Sequence, residues 1–405
     1  MPNLADKLHC TGCAACYNSC ARKAIQMVPD VEGFLFPDVD LKSCVNCGLC
    51  EKVCPALIQS NDSFDEIPDA YAVWSYLDRE KSSSGGAFSA FARCVLGNGG
   101  VVYGAAFYDG FNVRHVAVDS LEDLDRLRGS KYIQSSIGDV FKQVRTAVRN
   151  ERQVLFCGTP CQVDGLKRFL TKDYDNLITL DLACHGVPSY KVFESYIEKL
   201  AKKKNLDKTD INGFEFRKRD GWDKTPYVYI KNKKTAVYGV DALFTEAFDA
   251  ASIFRKSCYS CKYAKFPRVG DCTIADFWGI GLHGRSFLHD TSKGVSLVIT
   301  NTKKGNNFLR NLKDVFIQKR TLEEALVEND NLNNCVEECP QRDSLIHAFL
   351  DSEMTLERID NNFSVVDLSL KARIKQYTKK CGLYNLAKSL YRKARMLKSK
   401  LMVKK

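Results

Sequence analysis

From Tyr71 onward the chain alternates short apolar runs with longer stretches whose apolar positions recur every three or four residues. The runs Tyr71–Tyr76, Val101–Phe107, Val154–Phe156, Ile178–Leu182, Tyr227–Ile230 and Val295–Thr300 predict strands. Asp139–Arg149 and Tyr190–Lys203 carry the helical period. Strands separated by helices predict an α/β body with a mainly parallel or mixed sheet. Ahead of it, Ser60-Asn61-Asp62-Ser63, with Asp65, Glu66 and Pro68, reads as a polar linker that sets off a small module. Beyond the body, Leu383, Leu386, Leu390, Ala394, Leu397 and Leu401 recur among basic residues, which predicts an amphipathic helix. The expected division is residues 1–62, a body in two parts at 68–150 and 151–350, and a helical basic tail at 351–405.

Composition changes this picture in two places. The net charge is +11 over 405 residues, but Lys371–Lys405 holds thirteen Lys or Arg and no acid. The rest of the chain is therefore near −2, and only the tail is basic. The chain has 45% hydrophobic content, enough to bury a sizeable core, and no run of about 18 apolar residues that would span a bilayer.

Eight of its 18 cysteines stand in two runs, Cys10-x2-Cys13-x2-Cys16-x3-Cys20 and Cys44-x2-Cys47-x2-Cys50-x3-Cys54-Pro55. This spacing wraps a chain around two 4Fe-4S clusters, the fourth cysteine of each run crossing to the other cluster. The expected sets are Cys10, Cys13, Cys16 and Cys54 for the first and Cys20, Cys44, Cys47 and Cys50 for the second, in an α+β ferredoxin-like module. A disulfide framework suits small secreted chains, and a zinc site needs four thiolates in a different pattern. The chain begins without a charged, apolar and small-residue leader, and thiolate chemistry suits a reducing compartment, so the expected location is the cytoplasm.

The body carries its own motifs. Ser82-Ser83-Ser84-Gly85-Gly86 opens into the helical Ala87–Ala92, a loop whose free N–H groups suit an anion and whose serines equally suit a cap. Leu127–Tyr132, Val154–Gln162, Asp181–Pro188, Cys258-x2-Cys261 and Asp271–Gly279 follow. Over these motifs, from about Ala70 to Leu350, the chain resembles the flavin-containing beta subunit of coenzyme F420 hydrogenases and dehydrogenases, whose relatives include chlorophyll-derivative reductases.

That resemblance implies an FAD-binding body with an iron-sulfur centre beside the flavin. It points to Ser83, Ser84, Gly85 and Gly86 as a flavin-phosphate loop, to Gly129, Ser130, Lys131 and Tyr132 as a second contact, and to Gly158, Thr159 and Pro160 as a further wall. Cys161, Cys184, Cys258 and Cys261 are the expected ligands of a third 4Fe-4S cluster, with Cys157 in reserve. Zinc at Cys258-x2-Cys261 and inert buried thiols are the alternatives. Lys131 is a candidate catalytic charge for pyrophosphate or reduced flavin, and otherwise a surface lysine. His185, directly after Cys184, is the candidate proton donor, and otherwise a packed loop residue. Gly279-x-Gly281-x-x-Gly284 matches a dinucleotide fingerprint by letter but lacks the crossover helix and the later acid that fingerprint requires.

The function expected is an iron-sulfur flavoprotein oxidoreductase. It would move electrons between the ferredoxin-type clusters and FAD to reduce or oxidise a small substrate or coenzyme, with polysaccharide biosynthesis as one setting. A redox partner, either a ferredoxin or a reductase subunit, is implied. The alternative is a non-catalytic relay subunit or a membrane-docked partner of a separate enzyme. The basic tail suits peripheral contact with the inner face of an anionic membrane. It has few of the aromatics that stack bases, so nucleic acid is not expected.

Overall fold

The computed structural model describes residues 2–58, 67–219, 222–283 and 286–366. The basic tail expected from Lys371 onward lies outside these residues. Among the described residues no helix is long and apolar enough to cross a membrane.

The N-terminal module is built on one antiparallel pair, β1 (Ile25–Pro29) and β2 (Leu35–Val39). Short helices at Ala15–Ser19 and Leu49–Lys52 each carry one cysteine of a run. The module shares a core with the body: Cys13, Ala14, Ala15 and Val53 pack with Phe141, Val163 and Leu166.

The body is centred on an eight-stranded mixed sheet. Its strands are β3 (Asp69–Ser75), β4 (Val101–Tyr108), β5 (Asn112–Val118), β6 (Val154–Gly158) and β7 (Leu177–Leu182). A three-stranded antiparallel sheet intervenes, made of β8 (Ile211–Glu215), β9 (Tyr227–Ile230) and β10 (Lys233–Ala236). Then β11 (Cys272–Asp276), β12 (Ser296–Thr300) and β13 (Val315–Arg320) complete the large sheet in the order β13-β3-β12-β11-β7-β6-β4-β5. The centre is parallel, from β4 through β6 and β7 to β11, and both edges are antiparallel. Because β4 pairs with β6, residues on either side of position 150 contribute to one sheet.

Parallel neighbours need crossovers, and helices Val140–Arg149 and Pro160–Leu170 supply them beside β6. Val154, Leu155 and Phe156 are fully buried, as a central strand covered on both faces requires. β11 instead returns to β12 antiparallel, and the described residues between them form no helix, so Gly279 and Gly281 turn a loop rather than open a nucleotide-binding crossover. Helices Tyr190–Lys203, Arg342–Leu350 and Leu356–Phe363 close a second core over the three-stranded sheet around Phe193, Tyr196 and Phe244.

Candidate functional site

The parallel centre of the sheet ends where the body cysteines lie. Strand β6 delivers Gly158 to a turn in which Thr159 caps helix Pro160–Leu170. Thr159 and Gln162 form a reciprocal capping box, and Pro160 occupies the first helical turn. Cys161 therefore sits at a helix N-terminus, where the helix dipole favours a thiolate, and its Sγ lies 3.1 Å from the Thr159 hydroxyl. Its amide and hydroxyl both contact Gln162, so Thr159, expected with Gly158 and Pro160 as a flavin wall, also shapes the cysteine turn.

Strand β7 delivers the second cysteine of the group. Past its end, Cys184 lies close enough to Cys258, Cys161 and Cys261 for their charges to interact. Cys258 likewise feels Cys261 and Cys161. The four expected body cysteines thus converge from three separate segments, while Cys157 points toward Lys131 and Asp181 instead. Cys335, to which the sequence assigned no role, lies within reach of Cys261.

Burial pushes the Cys161 thiol up to about 11 and the Cys258 thiol to about 12, and holds Cys184 well above the ordinary range. A metal or cluster entering here must displace protons. Among the described residues no group of three or more His, Cys, Asp or Glu is close enough to hold a single metal ion. A cubane is ligated at four separate irons and asks for a wider arrangement.

The loop that carries Cys258 and Cys261 is clamped along its length. Arg268 donates to Asp181 Oδ1 at 2.9 Å and to the Leu182 carbonyl at 2.7 Å, while the other Asp181 oxygen accepts from the Val269 and Gly270 amides. The Tyr263 hydroxyl donates to Asp164 at 2.7 Å, and Lys262 Nζ to the Pro55 carbonyl at 2.6 Å. Arg255 Nε donates to the Cys10 carbonyl at 2.7 Å. The loop therefore holds both cysteine runs of the module.

In the module, Cys16 lies within electrostatic reach of Cys10, Cys54 and Cys50, and Cys13 of Cys16, Cys161 and Cys10. This brings together the set assigned to the first cluster and sets it against the body group. Of the second set, Cys50 interacts with Cys47, and Cys20 Sγ accepts the Ala24 amide at 3.3 Å. Cys44 is half-buried and Cys47 exposed.

The two segments expected to hold flavin also come together, through arginines that the sequence reading missed. Arg217, just beyond β8, donates to Asp276 at 2.6 Å and to the Ser83 carbonyl at 3.1 Å, and it bonds the Tyr132 side chain. Arg219 pairs with Asp125 and lies over Gly129. Three buried polar atoms here have no hydrogen-bond partner: Ser83 Oγ, Arg217 Nε and Arg219 Nε, the last 3.6 Å from Glu215 Oε1. Unpaired buried donors between aromatic walls fit an anionic, planar group, with Tyr132 stacked on Phe248 at 4.2 Å on one side and Trp278 near Arg217 on the other.

The remaining expected residues have packing contacts. Ser84 Oγ donates to the Val295 carbonyl and accepts from Trp222. A Cβ at Gly85 would stand 2.3 Å from the Val73 carbonyl and 2.5 Å from the Ser296 amide, so this glycine is required by the sheet. Gly86 caps the following helix with φ 87°, and Ser130 is exposed.

Lys131 Nζ donates to the carbonyls of Arg126 and Arg128. Burial, then the nearby Arg219 charge, lowers its pKa to about 7. His185 faces Asn331 Oδ1 at 3.1 Å and the Asp249 carbonyl at 3.3 Å, with Phe248 and Phe254 against its ring. Both its nitrogens are engaged within the protein.

Residues 151–324 match the family model for the C terminus of the beta subunit of coenzyme F420 hydrogenase/dehydrogenase, and residues 9–58 match that of the 4Fe-4S dicluster domain. The F subunit of the F420H2 dehydrogenase of Methanosarcina mazei is 23% identical over 279 residues, 64% of this chain and 74% of that one. An uncharacterized protein of Methanocaldococcus jannaschii is 26% identical over 277 residues, 66% of this chain and 70% of that one. A chain of the F420-reducing NiFe hydrogenase complex from Methanosarcina barkeri aligns over 76% of this chain and 93% of its own at 18% identity, with a TM-score of 0.42, too low to carry an argument.

Proposed function

We propose, from a chain that joins a 4Fe-4S dicluster domain to the C-terminal domain of a coenzyme F420 hydrogenase/dehydrogenase beta subunit, that this protein is an iron-sulfur flavoprotein oxidoreductase. Cys161, Cys184, Cys258 and Cys261 would hold a third cluster, which would supply one-electron transfer between the dicluster module and FAD. The observation that carries the reading is the meeting of these four thiols beside Cys13. FAD supplies two-electron chemistry toward a small coenzyme and one-electron chemistry toward the clusters. A deazaflavin is the coenzyme class that the names of the similar proteins favour.

The chain's own residues supply position and charge. Ser83, Arg217 and Arg219 would bind the anionic part of the flavin, and Tyr132 would bound it. Lys131, held on two carbonyls, adds a cation that titrates near neutrality. His185 donates a proton once it releases the Asp249 carbonyl. The test is flavin affinity: Arg219→Gln weakens FAD binding at least tenfold in a titration of flavin-depleted protein. Unchanged affinity in both Arg219→Gln and Ser83→Ala would overturn the flavin site.

A second reading, a relay subunit without turnover of its own, is favoured by one observation. Cys47 is exposed between Val45 at 62% and Leu49 at 44% exposure, so the second cluster of the module faces outward. Coenzyme turnover by the isolated chain supports the first reading, and turnover only with an added redox subunit supports the second.

A further inference from the structure

Arg255 is 1% exposed and among the largest fully buried side chains of the protein. Its guanidinium has only neutral partners. Nε donates to the Cys10 carbonyl at 2.7 Å, Nη1 to Gln134 Oε1 at 3.2 Å, and Nη2 is buried without a partner. The rings of Phe36 and Phe34 cover it at 4.0 and 5.6 Å. The other large buried arginine behaves differently: Arg342 is neutralised by both oxygens of Glu32 at 2.6 Å. A buried charge is expensive unless it is paired. Asp30 and Glu32 line the same cavity as Arg255, with Glu32 committed to Arg342, and the charge of Arg255 favours the ionised forms of the Cys161 and Cys258 thiols.

The surroundings place this cation at a junction. Its carbonyl accepts the Cys258 amide at 2.9 Å, so it stands at the start of the turn bearing Cys258 and Cys261. Through the Cys10 carbonyl it touches the first cysteine run. On the facing helix, Cys161 and Gly165 lie one turn apart on the same side, and a Cβ at Gly165 would meet Cys13 Sγ at 3.0 Å. The glycine lets the module's cysteine press against the helix that carries Cys161.

We propose that Arg255 is the shared counter-ion of the first module cluster and the body cluster, raising the reduction potential of the body cluster so that it stays in electronic register with its neighbour. This rests on the reading that Cys161, Cys184, Cys258 and Cys261 ligate a cluster. Four thiolates around a cubane make a net anion that gains charge on reduction, so a fixed buried cation stabilises the reduced state. Arg255 acts as a positioning charge, with no ligand role.

The test is a potentiometric titration of the intact, anaerobically prepared holoprotein, following each cluster by electron paramagnetic resonance. Arg255→Gln lowers the body-cluster potential by at least 59 mV, a tenfold change in the one-electron equilibrium. Arg255→Lys restores most of it, and the Cys20, Cys44, Cys47 and Cys50 cluster does not move. Gln134→Glu keeps Arg255 but sets a carboxylate against Nη1, and it lowers the potential in the same direction, which decides the matter if Arg255→Gln loses iron. About twelve irons per chain with unmoved potentials in both Arg255→Gln and Gln134→Glu overturns the proposal. Wild-type iron near eight instead removes the cluster on which it rests.

Discussion

His115 shows how firmly single residues are set in the sheet beside the site. Its Nε2 donates to the Cys157 carbonyl at 3.0 Å, which leaves Nδ1 to accept from Ser135 Oγ at 2.8 Å, and burial lowers its pKa to about 4. The folded state thus resists a proton that the unfolded chain takes up near 6.5. Stability is fully present above pH 6.5 and falls between pH 6.5 and 4, by up to about 3 kcal/mol. Melting curves of wild type and His115→Gln across that window should converge toward acid, and parallel curves would contradict the assignment. Lys131 titrates near pH 7 in the opposite sense. FAD affinity should weaken as pH rises through about 7, and Lys131→Met should remove that dependence; an unchanged profile would leave Lys131 as a loop fastener only. The two segments expected to hold flavin were singled out through the family resemblance. Arg217, Arg219 and Arg255 were not, because their meaning lies in contacts distant in sequence, such as Arg217 with Ser83 and Arg255 with Gln134.

At the scale of elements, helix Pro160–Leu170 ties the account together, since its first turn holds Cys161 and its middle receives Cys13. Replacing a helical glycine ordinarily gains up to about 1 kcal/mol in propensity when the new residue is alanine. At Gly165 a larger side chain collides with Cys13 Sγ at 3.0 Å and Phe141 at 3.4 Å from the first carbon onward. Gly165→Val should therefore destabilise by about 1–3 kcal/mol and weaken the first-cluster signal before the second. A variant as stable as wild type with both signals intact would refute the contact. Asp181→Ala removes the brace under the Cys258–Cys261 loop and strands Arg268 at 1% side-chain exposure. A loss of about 3–5 kcal/mol, with body iron lost first, is the expected result in denaturant titration and iron assay.

The strands that were legible, such as Tyr227–Ile230, are short apolar runs. β13 was missed because Val315–Arg320 mixes polar residues into its end, and tertiary pairing with β3 makes it a strand. The Ser-Gly loop taught the opposite lesson. Gly85, expected as a phosphate contact, is also a close-packing residue, so a carboxylate placed there would strain the sheet whatever the flavin does.

At the scale of the whole molecule, the module is fixed to the body by buried contacts: Arg342 with Glu32, Ser189 with the Glu32 carbonyl at 2.6 Å, and Arg255 with Cys10. A module held this way keeps its first cluster at a constant distance from the body cysteines, which electron transfer between fixed centres requires. The two cysteine runs announced the module in the sequence through spacing alone. The body group could be proposed only from separate motifs, since its four members come from positions 161 to 261. Its existence as a cluster is the central claim, and the iron content of anaerobically purified protein tests it most directly. Wild type should carry about twelve irons per chain, falling to about eight in Cys258→Ala with both module signals retained. About eight irons in both proteins, or zinc accompanying eight irons in wild type, would contradict the claim.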